Sequence, residues 1–446
     1  MSLEDQSTTQ VIFFDISKAF DRVWHKGLLH KLSAIGIRGQ ILEWFRNYLA
    51  GRTQAVTIKG SSSDFLPVSA GVPQGSVLGP TLFLIYINDI IKSIKSVIKL
   101  FADDTSLYLS LKNTIRRTDI LNSDMEKITN WATAWKVNFN PLKTELMTIS
   151  SNRVPSTLPL LFGGTALQEV HSHKHLGVIL QHDCKWHDHI LSVIAKCRTL
   201  VGCLRSFKYR ISRKSLEIMY KSFILPHFDY ADIVWDNCAG NLSNELENLH
   251  LDALRTIVGT VRGTSHEKLY MEAGFTSLKI RRLRHKLILF FKIVNGNVPN
   301  YLLQLLPPLA ASQNPYHLRN PLARRIPYCR TELYKNSFIP STTAMWNSLP
   351  DSVKCSDSLS SFKRHLSRTD TVVPPHFYVG HREAQVIHCK LRLGMSDLNE
   401  DLFQRHLSED RSCACGYERE NAAHYLLECP LFRQVRTTTL MVSHSH

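Results

Sequence analysis

Two sets of residues in this chain have the types and the spacing to do chemistry. The first is three carboxylates. Asp15 closes the apolar run VIFFDIS at 11–17, and Asp103 and Asp104 sit at the tip of VIKLFADDTSLYLSL, 97–111. A carboxylate at the end of a buried strand is costly unless positive charge meets it. Hard oxygen ligands of this kind suit Mg²⁺, which keeps several waters and binds substrate phosphates. A pair of such ions can stabilise both the attacking and the leaving oxygen of a phosphoryl transfer. An acid at a hairpin tip is also an ordinary turn former, so spacing by itself leaves both readings open. The second set is Cys413-Ala-Cys415, eight residues, His424, four residues, Cys429. Thiolates plus an imidazole suit tetrahedral Zn²⁺. The Cys-x-Cys gap is one residue shorter than the commonest finger spacing, and free thiols with a solvated His are the alternative.

The elements that must position these groups read as mixed α and β. VIFFDIS predicts a buried strand, 97–111 a hairpin, and Glu145–Ile149 and Lys174–Leu180 further strands. Trp24–Leu49 has helical spacing broken near Gly36 and Gly39, Leu78–Ile94 reads as an apolar helix, and 114–136 as a surface helix. The order is α+β rather than a regular βαβ alternation. From about 187 the pattern turns helical, over 187–206, 213–224, 243–258 and 278–294. Six prolines break 297–330, and a last unit starting near His381 holds four of the ten cysteines. The 446 residues suggest two to four domains. Composition is 43% hydrophobic and 21% charged, which excludes global disorder and a small disulfide scaffold. The net charge of +16 favours a polyanionic partner, nucleic acid before membrane. The opening MSLEDQSTTQ is no signal peptide, so a reducing compartment is expected. The charge-free run Phe65–Asn88 is interrupted by three prolines and three glycines, against a spanning helix.

The strings FFDISKAFDRVWH, AGVPQGSVLGPTLFLIYINDI and KLFADDTSLY resemble three successive reverse-transcriptase motifs, in order and at suitable spacing. NPLKTELM and HKHLGVIL continue the series. The chain is most similar to polymerases of non-LTR retrotransposons, LINE-type and Jockey-like. ILPHFDYADIVWDN, FIPSTTAMWNSLP and SFKRHL resemble downstream segments of such elements, so the likeness spans nearly the whole chain. It implies a right-hand polymerase palm at 1–183, lacking its fingers. A mainly helical thumb-like region at 184–300, a Pro-rich connector and retrotransposon carboxyl-terminal segment at 301–380, and a small Cys/His zinc unit at 381–446 would follow.

The resemblance also assigns roles. Asp15 and Asp103 match the metal-binding carboxylates, with Mg²⁺ or Mn²⁺ as cofactor, and Asp104 the acid beside them. Phe20 matches the aromatic that screens the ribose 2′-position; a helix-packing Phe is the alternative. Pro73, Gln74, Gly75 and Ser76 match the loop bordering the incoming nucleotide and template, where Gln74 can also be a plain turn residue. Lys143 matches the lysine near the departing pyrophosphate, as general acid or as a charge, or is a surface Lys after a turn. His175, Leu176 and Gly177 match the hairpin that grips the primer. The Cys/His segment resembles one that holds RNA or target DNA, with Zn²⁺ as its cofactor.

The implied activity is RNA-directed DNA polymerase. RNA template, DNA primer or nicked target DNA, and deoxynucleoside triphosphates are the expected partners, with an element-encoded RNA-binding protein as a further one and no membrane. The expected place is intracellular, in a cytoplasmic ribonucleoprotein and the nucleus. With ten residues before Val11, the family's fingers strands and upstream endonuclease are missing. The expectation is therefore an amino-terminally truncated fragment with reduced or no standalone activity. A catalytically inactive RNA- or DNA-binding remnant is the alternative, and a scaffold without a nucleic-acid role is a third reading.

Two basic groups are candidates for a duplex-facing surface: Lys196, Arg198, Arg205, Lys208, Arg210, Arg213 and Lys214 with Phe207 and Tyr209, and Arg281, Arg282, Arg284, His285 and Lys286. The cluster His171, His173, His175, His182, His187 and His189 reads as solvated side chains rather than a metal site.

Overall fold

The computed structural model describes residues 3–151, 158–310, 321–368 and 372–434. The chain divides into two compact units, 1–186 and 187–446. The break falls three residues past the expected 183, where His187 opens a long helix.

The first unit is built on a five-stranded sheet. The strands of the unit are β1 (Thr8–Phe14), β2 (Thr53–Gln54), β3 (Thr57–Ile58), β4 (Ser61–Ser62), β5 (Leu66–Pro67), β6 (Val97–Phe101), β7 (Asp104–Leu111), β8 (Glu145–Ile149), β9 (Leu161–Phe162), β10 (Thr165–Ala166), β11 (Gln168–Glu169), β12 (Ser172–His175) and β13 (Val178–Gln181); β1, β6, β7, β8 and β11 form the sheet and the others pair two by two outside it. The sheet order is β11-β8-β1-β7-β6, with β1 central and antiparallel to both neighbours. A central strand must be apolar on both faces, and TTQVIFF is buried at six of its seven positions.

Helices α1 (His25–Ala34), α2 (Gly39–Leu49), α3 (Leu78–Ile87) and α4 (Thr114–Trp135) complete the unit. Ile12, Phe14, Leu107 and Leu146 of the sheet share one core with Leu28 and Leu32 of α1, Leu82, Phe83 and Tyr86 of α3, and Leu121, Met125 and Ile128 of α4. Asn113 caps α4 by accepting from the Arg116 N–H, and Lys136 ends it in the left-handed region at φ 54°. Buried Arg117 on α4 donates to the Gln10 side chain of β1 at 2.9 Å and to the Leu111 carbonyl, tying helix to sheet. Lys31 of α1 lies 3.6 Å from the Trp135 ring centroid and pairs with Asp89, a charge kept inside by a cation–π contact and a carboxylate.

The second unit is helical, with no named strand among its described residues: α5 (His187–Ser206), α6 (Arg213–Met219), α7 (Leu225–Asp229), α8 (Asp232–Trp235), α9 (Gly240–Val258), α10 (His266–Ala273), α11 (Leu278–Val294) and shorter helices beyond. Residues 187–446 cluster as one compact unit. The reason is packing. Phe290 and Phe291 of α11 share a core with Trp346 and Phe362, and Phe291 stacks on Phe362 at 4.3 Å. Helix Arg382–Leu393 brings Arg392 to Glu272 of α10 at 2.6 Å, where buried Arg213 of α6 also reaches Glu272, at 2.9 Å. Among the described residues no helix is long and apolar enough to cross a membrane.

Candidate functional site

Register places the three acids together. Phe14, the last residue of β1, pairs with Thr105 of β7. The residues that follow and precede these, Asp15 and Asp104, therefore leave the sheet at the same end. β6 and β7 close through a two-residue turn, Ala102-Asp103, with Phe101 paired to Asp104. Ala102 adopts φ 53°, a left-handed conformation that tight hairpins demand and that Ala enters at some cost. Asp103 and Asp104 are exposed and Asp15 is half-buried. Among the described residues no hydrogen bond or ion pair engages any of the three carboxylates. Nor are they drawn into a tight group: the sets of ligand atoms lying within 4.8 Å of one another are Cys413, Cys415, His424 and Cys429, and Asp229, Asp232 and His285. Three like charges without a cation between them repel, and exposure lets water screen them.

Lys143 arrives at the same end. The Asn140 N–H donates to the Asp15 carbonyl at 2.9 Å, and Ile16 bridges to Phe139. Asn140 then caps the single turn Pro141–Lys143 by accepting from the Leu142 N–H, leaving Lys143 exposed at its end.

The chain after Asp15 is fastened to the loop before α3. The Val72 N–H donates to the Phe20 carbonyl and the Gly71 N–H to the Val23 carbonyl, both at 2.8 Å. Gly71 has φ +94°, and a Cβ there would lie 2.8 Å from the Asp21 carbonyl oxygen, so only glycine fits. Phe20 is half-buried and stacks on Phe83 of α3 with ring centroids 4.6 Å apart. The Gln74 amide donates to Asp21 Oδ1 at 2.8 Å. Ser76 Oγ donates to the Pro73 carbonyl and accepts from the Gly79 N–H, which shapes the Pro73–Ser76 bend.

The 174–180 stretch is a hairpin rather than one strand. β12 and β13 join through Leu176 at φ 48° and Gly177 at φ 81°, with His175 paired to Val178. His173 stacks on Phe13 of β1 at 3.8 Å and bonds Glu145 of β8 at 2.6 Å, so the hairpin lies against the sheet. Burial lowers the His175 pKa, with nearby Asp104 pulling it back up. His173 and His175 are thus half-buried packing groups and not the solvated side chains expected, and His189 of α5 is buried as well.

The Cys/His set converges. Cys413 and Cys429 sulfurs are 3.7 Å apart, and Cys415 Sγ is 3.2 Å from His424 Nε2. With Zn–S near 2.3 Å, two sulfurs on one tetrahedral ion stand about 3.8 Å apart, so the donor set fits that ion. Tyr417 stacks on the His424 ring at 4.2 Å. Buried His424 Nδ1 has no hydrogen-bond partner, and a Glu428 carboxylate oxygen lies 3.8 Å from it.

Only one of the two basic groups is a surface. Lys196, Arg198, Arg205, Arg210 and Lys214 are exposed, as are Phe207 and Tyr209. Arg213 is not: its guanidinium is buried between Glu217 and Glu272. In the 281–286 group Arg282 and Lys286 are buried and both bond Asp236 at 2.7 Å. Arg281 bonds Asp229 at 2.7 Å, and His285 bonds Asp232 at 2.6 Å. These charges join α11 to α7 and α8, and the partners lie some fifty positions upstream. Because Arg281 already satisfies Asp229, the Asp229, Asp232 and His285 group is an ion-pair network first.

One cationic cleft escaped the sequence reading. Lys18, Arg22 and Arg52 line a cleft of about 670 Å³ together with Asp21 and Gln74. Arg52 precedes the short strand β2, and no motif or spacing in the sequence links it to Lys18.

Residues 2–180 match the family described as reverse transcriptase (RNA-dependent DNA polymerase). The chain is 30% identical over 269 residues to the RNA-directed DNA polymerase from mobile element jockey of Drosophila funebris, which covers 58% of this chain and 29% of that protein. The Drosophila melanogaster protein of the same name is also 30% identical, with the same coverage. A retrovirus-related Pol polyprotein from type-1 retrotransposable element R1 of Bradysia coprophila is 23% identical over 445 residues, 95% of this chain and 40% of that protein. The chain thus spans less than a third of the length of the jockey proteins it matches. Residues 2–180 thus match the reverse-transcriptase family model, and the chain is similar to RNA-directed DNA polymerases of mobile elements of the jockey kind.

Proposed function

We propose that this chain performs RNA-templated DNA synthesis, adding deoxynucleotides to a DNA primer. The observation that carries the reading is the strand register that brings Asp15, Asp103 and Asp104 to one open sheet end beside Lys143. Asp15 and Asp103 would hold divalent ions, Mg²⁺ or Mn²⁺, which when bound supply Lewis acidity toward the primer hydroxyl and the phosphates. The primer 3′-oxygen forms a bond to the α-phosphorus as the bond to pyrophosphate breaks. Lys143 meets the charge growing on pyrophosphate and can return a proton to it. Phe20, held by Phe83, presents a fixed edge against a ribose 2′-hydroxyl. The hairpin carrying His175, Leu176 and Gly177 fixes the primer end over the Phe13 side of the sheet. Gln74 borders the nucleotide once its amide exchanges Asp21 for the substrate.

The helical unit would bind duplex through the exposed cations of α5 and the turn after it. Cys413, Cys415, His424 and Cys429 would hold one Zn²⁺ that fixes the fold of 411–432 and presents it to RNA or target DNA. The work would take place in a cytoplasmic ribonucleoprotein and in the nucleus.

The test is extension of a DNA primer on an RNA template by the full chain with Mg²⁺, beside its Asp15→Asn variant. Extension lost in the variant is the expected result. Equal extension by both refutes the site, and no extension by either, with RNA binding retained, points to the inactive nucleic-acid-binding remnant. For zinc, elemental analysis of the full chain is expected to give about one ion, lost in Cys429→Ser; a metal-free, folded tail overturns that part.

A further inference from the structure

We infer that the Cys/His tail carries a groove for an arginine side chain of a protein partner, formed by Tyr417, Glu428 and Pro430. The inference goes beyond the polymerase reading, which gives these three residues no task.

Charge is the first argument. The groove, about 340 Å³, is lined by Cys415, Gly416, Tyr417, His424, Glu428 and Pro430, with no lysine or arginine among them. The Glu428 side chain is 61% exposed, and His424 Nδ1, 3.8 Å away, is beyond hydrogen-bond reach, so the carboxylate stays open to a ligand. Between 411 and 432 two arginines stand against three glutamates, two minus three, or −1, in a chain of +16. Arg411 is spent on Glu418 at 3.1 Å. Three thiolates around one Zn²⁺ would add a further unit of negative charge. A groove of that sign draws a cation. A nucleic-acid strand has no cation to offer and brings phosphates that Glu428 repels, so any contact of the unit with RNA or target DNA falls outside the groove.

Shape is the second argument. The Tyr417 ring lies against the His424 ring on one side, with centroids 4.2 Å apart and planes 5° from parallel. Tyr417 is exposed, and among the described residues no other ring and no cation stacks on it. A flat guanidinium can extend that stack, because a ring face attracts a cation, while its N–H fork meets a carboxylate. Lysine, a compact and strongly hydrated charge, suits the carboxylate but not the stack. The backbone fixes the ring. The Cys413 N–H donates to the Tyr417 carbonyl and the Gly416 N–H to the Cys413 carbonyl, both at 2.9 Å, with Gly416 at φ 91°. The Cys429 N–H donates to the His424 carbonyl at 2.8 Å and closes the turn that carries Glu428.

The surroundings are the third. Leu427 and Leu431, chain neighbours of Glu428 and Pro430, are 74% and 59% exposed. Exposed leucines beside an acid and a ring suit a protein surface, whose apolar side chains can cover them. A free amine or a sugar–phosphate backbone offers no such cover. The occupant is therefore an arginine set among apolar residues in a segment of another protein.

The experiment is fluorescence anisotropy of the full chain, prepared with zinc, against a labelled peptide of Ala-Arg-Leu repeats. Companion peptides replace every arginine by lysine or by citrulline, its neutral isostere, and single-stranded RNA is titrated in parallel. Affinity is expected to fall in the order arginine, lysine, citrulline. Glu428→Gln is expected to weaken the arginine peptide about tenfold, the size of one charge-assisted hydrogen bond. Tyr417→Leu should weaken it about fivefold, and Tyr417→Phe, which keeps the ring face, should stay within about twofold. Glu409→Gln removes an exposed acid outside the groove and serves as the control. Bound zinc is measured in every variant, because Glu428 adjoins Cys429; should Glu428→Gln lose zinc, the contrast of Tyr417→Leu with Tyr417→Phe decides alone. Equal affinity for the arginine and citrulline peptides overturns the inference, as does binding untouched in the Tyr417→Leu, Glu428→Gln double variant. So does RNA affinity lost in Tyr417→Leu with peptide binding intact, which assigns the ring to bases. A chain ending at Gln434 tests residues 435–446, Arg436 among them, as the occupant: unchanged peptide affinity is expected, and a marked gain gives the groove to this chain itself and overturns the protein partner. Arginine binding that follows Tyr417 and Glu428 in a chain without zinc upholds the groove and removes the zinc reading, whereas bound zinc with no preference for arginine does the reverse.

Discussion

The open sheet end of the first unit and helix α11 of the second carry similar numbers of charged side chains and treat them in opposite ways. At the sheet end Asp15, Asp103, Asp104 and Lys143 meet no partner among the described residues, and Lys18 and Arg22 are likewise unengaged. On α11 each of Arg281, Arg282, His285 and Lys286 bonds an aspartate of the 229–236 segment. Charges that a fold neutralises internally hold it together. Charges that it positions and leaves open are placed for something that arrives from outside. The difference lies not in residue type, nor in density along the sequence, but in whether the counter-charge is part of the same chain.

The sharpest way to break that comparison is to remove one charge from each region and read both function and stability. Asp103→Asn is expected to lower primer extension by roughly a thousandfold or more, since positioning and charge account for nearly all of phosphoryl-transfer catalysis. Because Asp103 is exposed at a hairpin tip, the thermal midpoint should stay where it is or rise slightly as like charges separate. A large fall in stability with extension unchanged would reverse the assignment. Lys286→Ala is the mirror experiment. The Lys286 side chain is only 2% exposed, and its loss leaves Asp236 with half its neutralisation. Breaking a buried pair costs about 3 kcal/mol, to be read as a lower denaturant midpoint, with RNA affinity unchanged. RNA affinity lost in a variant of unchanged stability would return α11 to the nucleic-acid surface.

A third test uses proton uptake in the helical unit. His250 of α9 is fully enclosed: Tyr220 donates its hydroxyl to Nδ1, and Nε2–H donates to the Thr276 carbonyl at 3.1 Å. Tyr270 stacks on the ring, and Arg281 contributes a repelling charge. Burial pushes the pKa down from 6.5 to about 4. The unfolded chain therefore takes up the proton first. The stability from a neutral His250 is complete above pH 6.5 and is lost as pH falls from there toward 4, a change of about 3 kcal/mol at ~1.4 kcal/mol per pKa unit. The stability gap between wild type and His250→Gln is expected to narrow over that window. A gap that does not vary with pH would refute it.

The smallest effect belongs to the exposed cations of α5. Arg205 sits 3.9 Å from Asp252, with 56% of its side chain exposed. Arg205→Ala is expected to cost less than about 0.5 kcal/mol of stability and to weaken RNA binding a few-fold, lowering the salt slope by roughly one. A salt slope unchanged by Arg205→Ala and Lys214→Ala together would remove this surface from the interface.

Local chemistry by itself determined a good deal of this protein. An apolar run ending in Asp15 dictates a buried strand, and two β-rich runs around Ala102-Asp103-Asp104 dictate a hairpin, because periodicity and turn residues act within a few positions. The Cys413, Cys415, His424 and Cys429 spacing is legible for the same reason. What only the tertiary structure decided is everything that depends on partners far along the chain. The 281–286 cations read as a surface until Asp229, Asp232 and Asp236 meet them, and Arg213 reads likewise until Glu272 does. His173 and His175 read as solvated until Phe13 stacks beneath them. Lys18, Arg22 and Arg52 read as unrelated until the loop before α3 closes on the turn after β1. Electrostatic and packing energies depend on distance in space, and a chain of 446 residues conceals most of those distances until its backbone hydrogen bonds set the register.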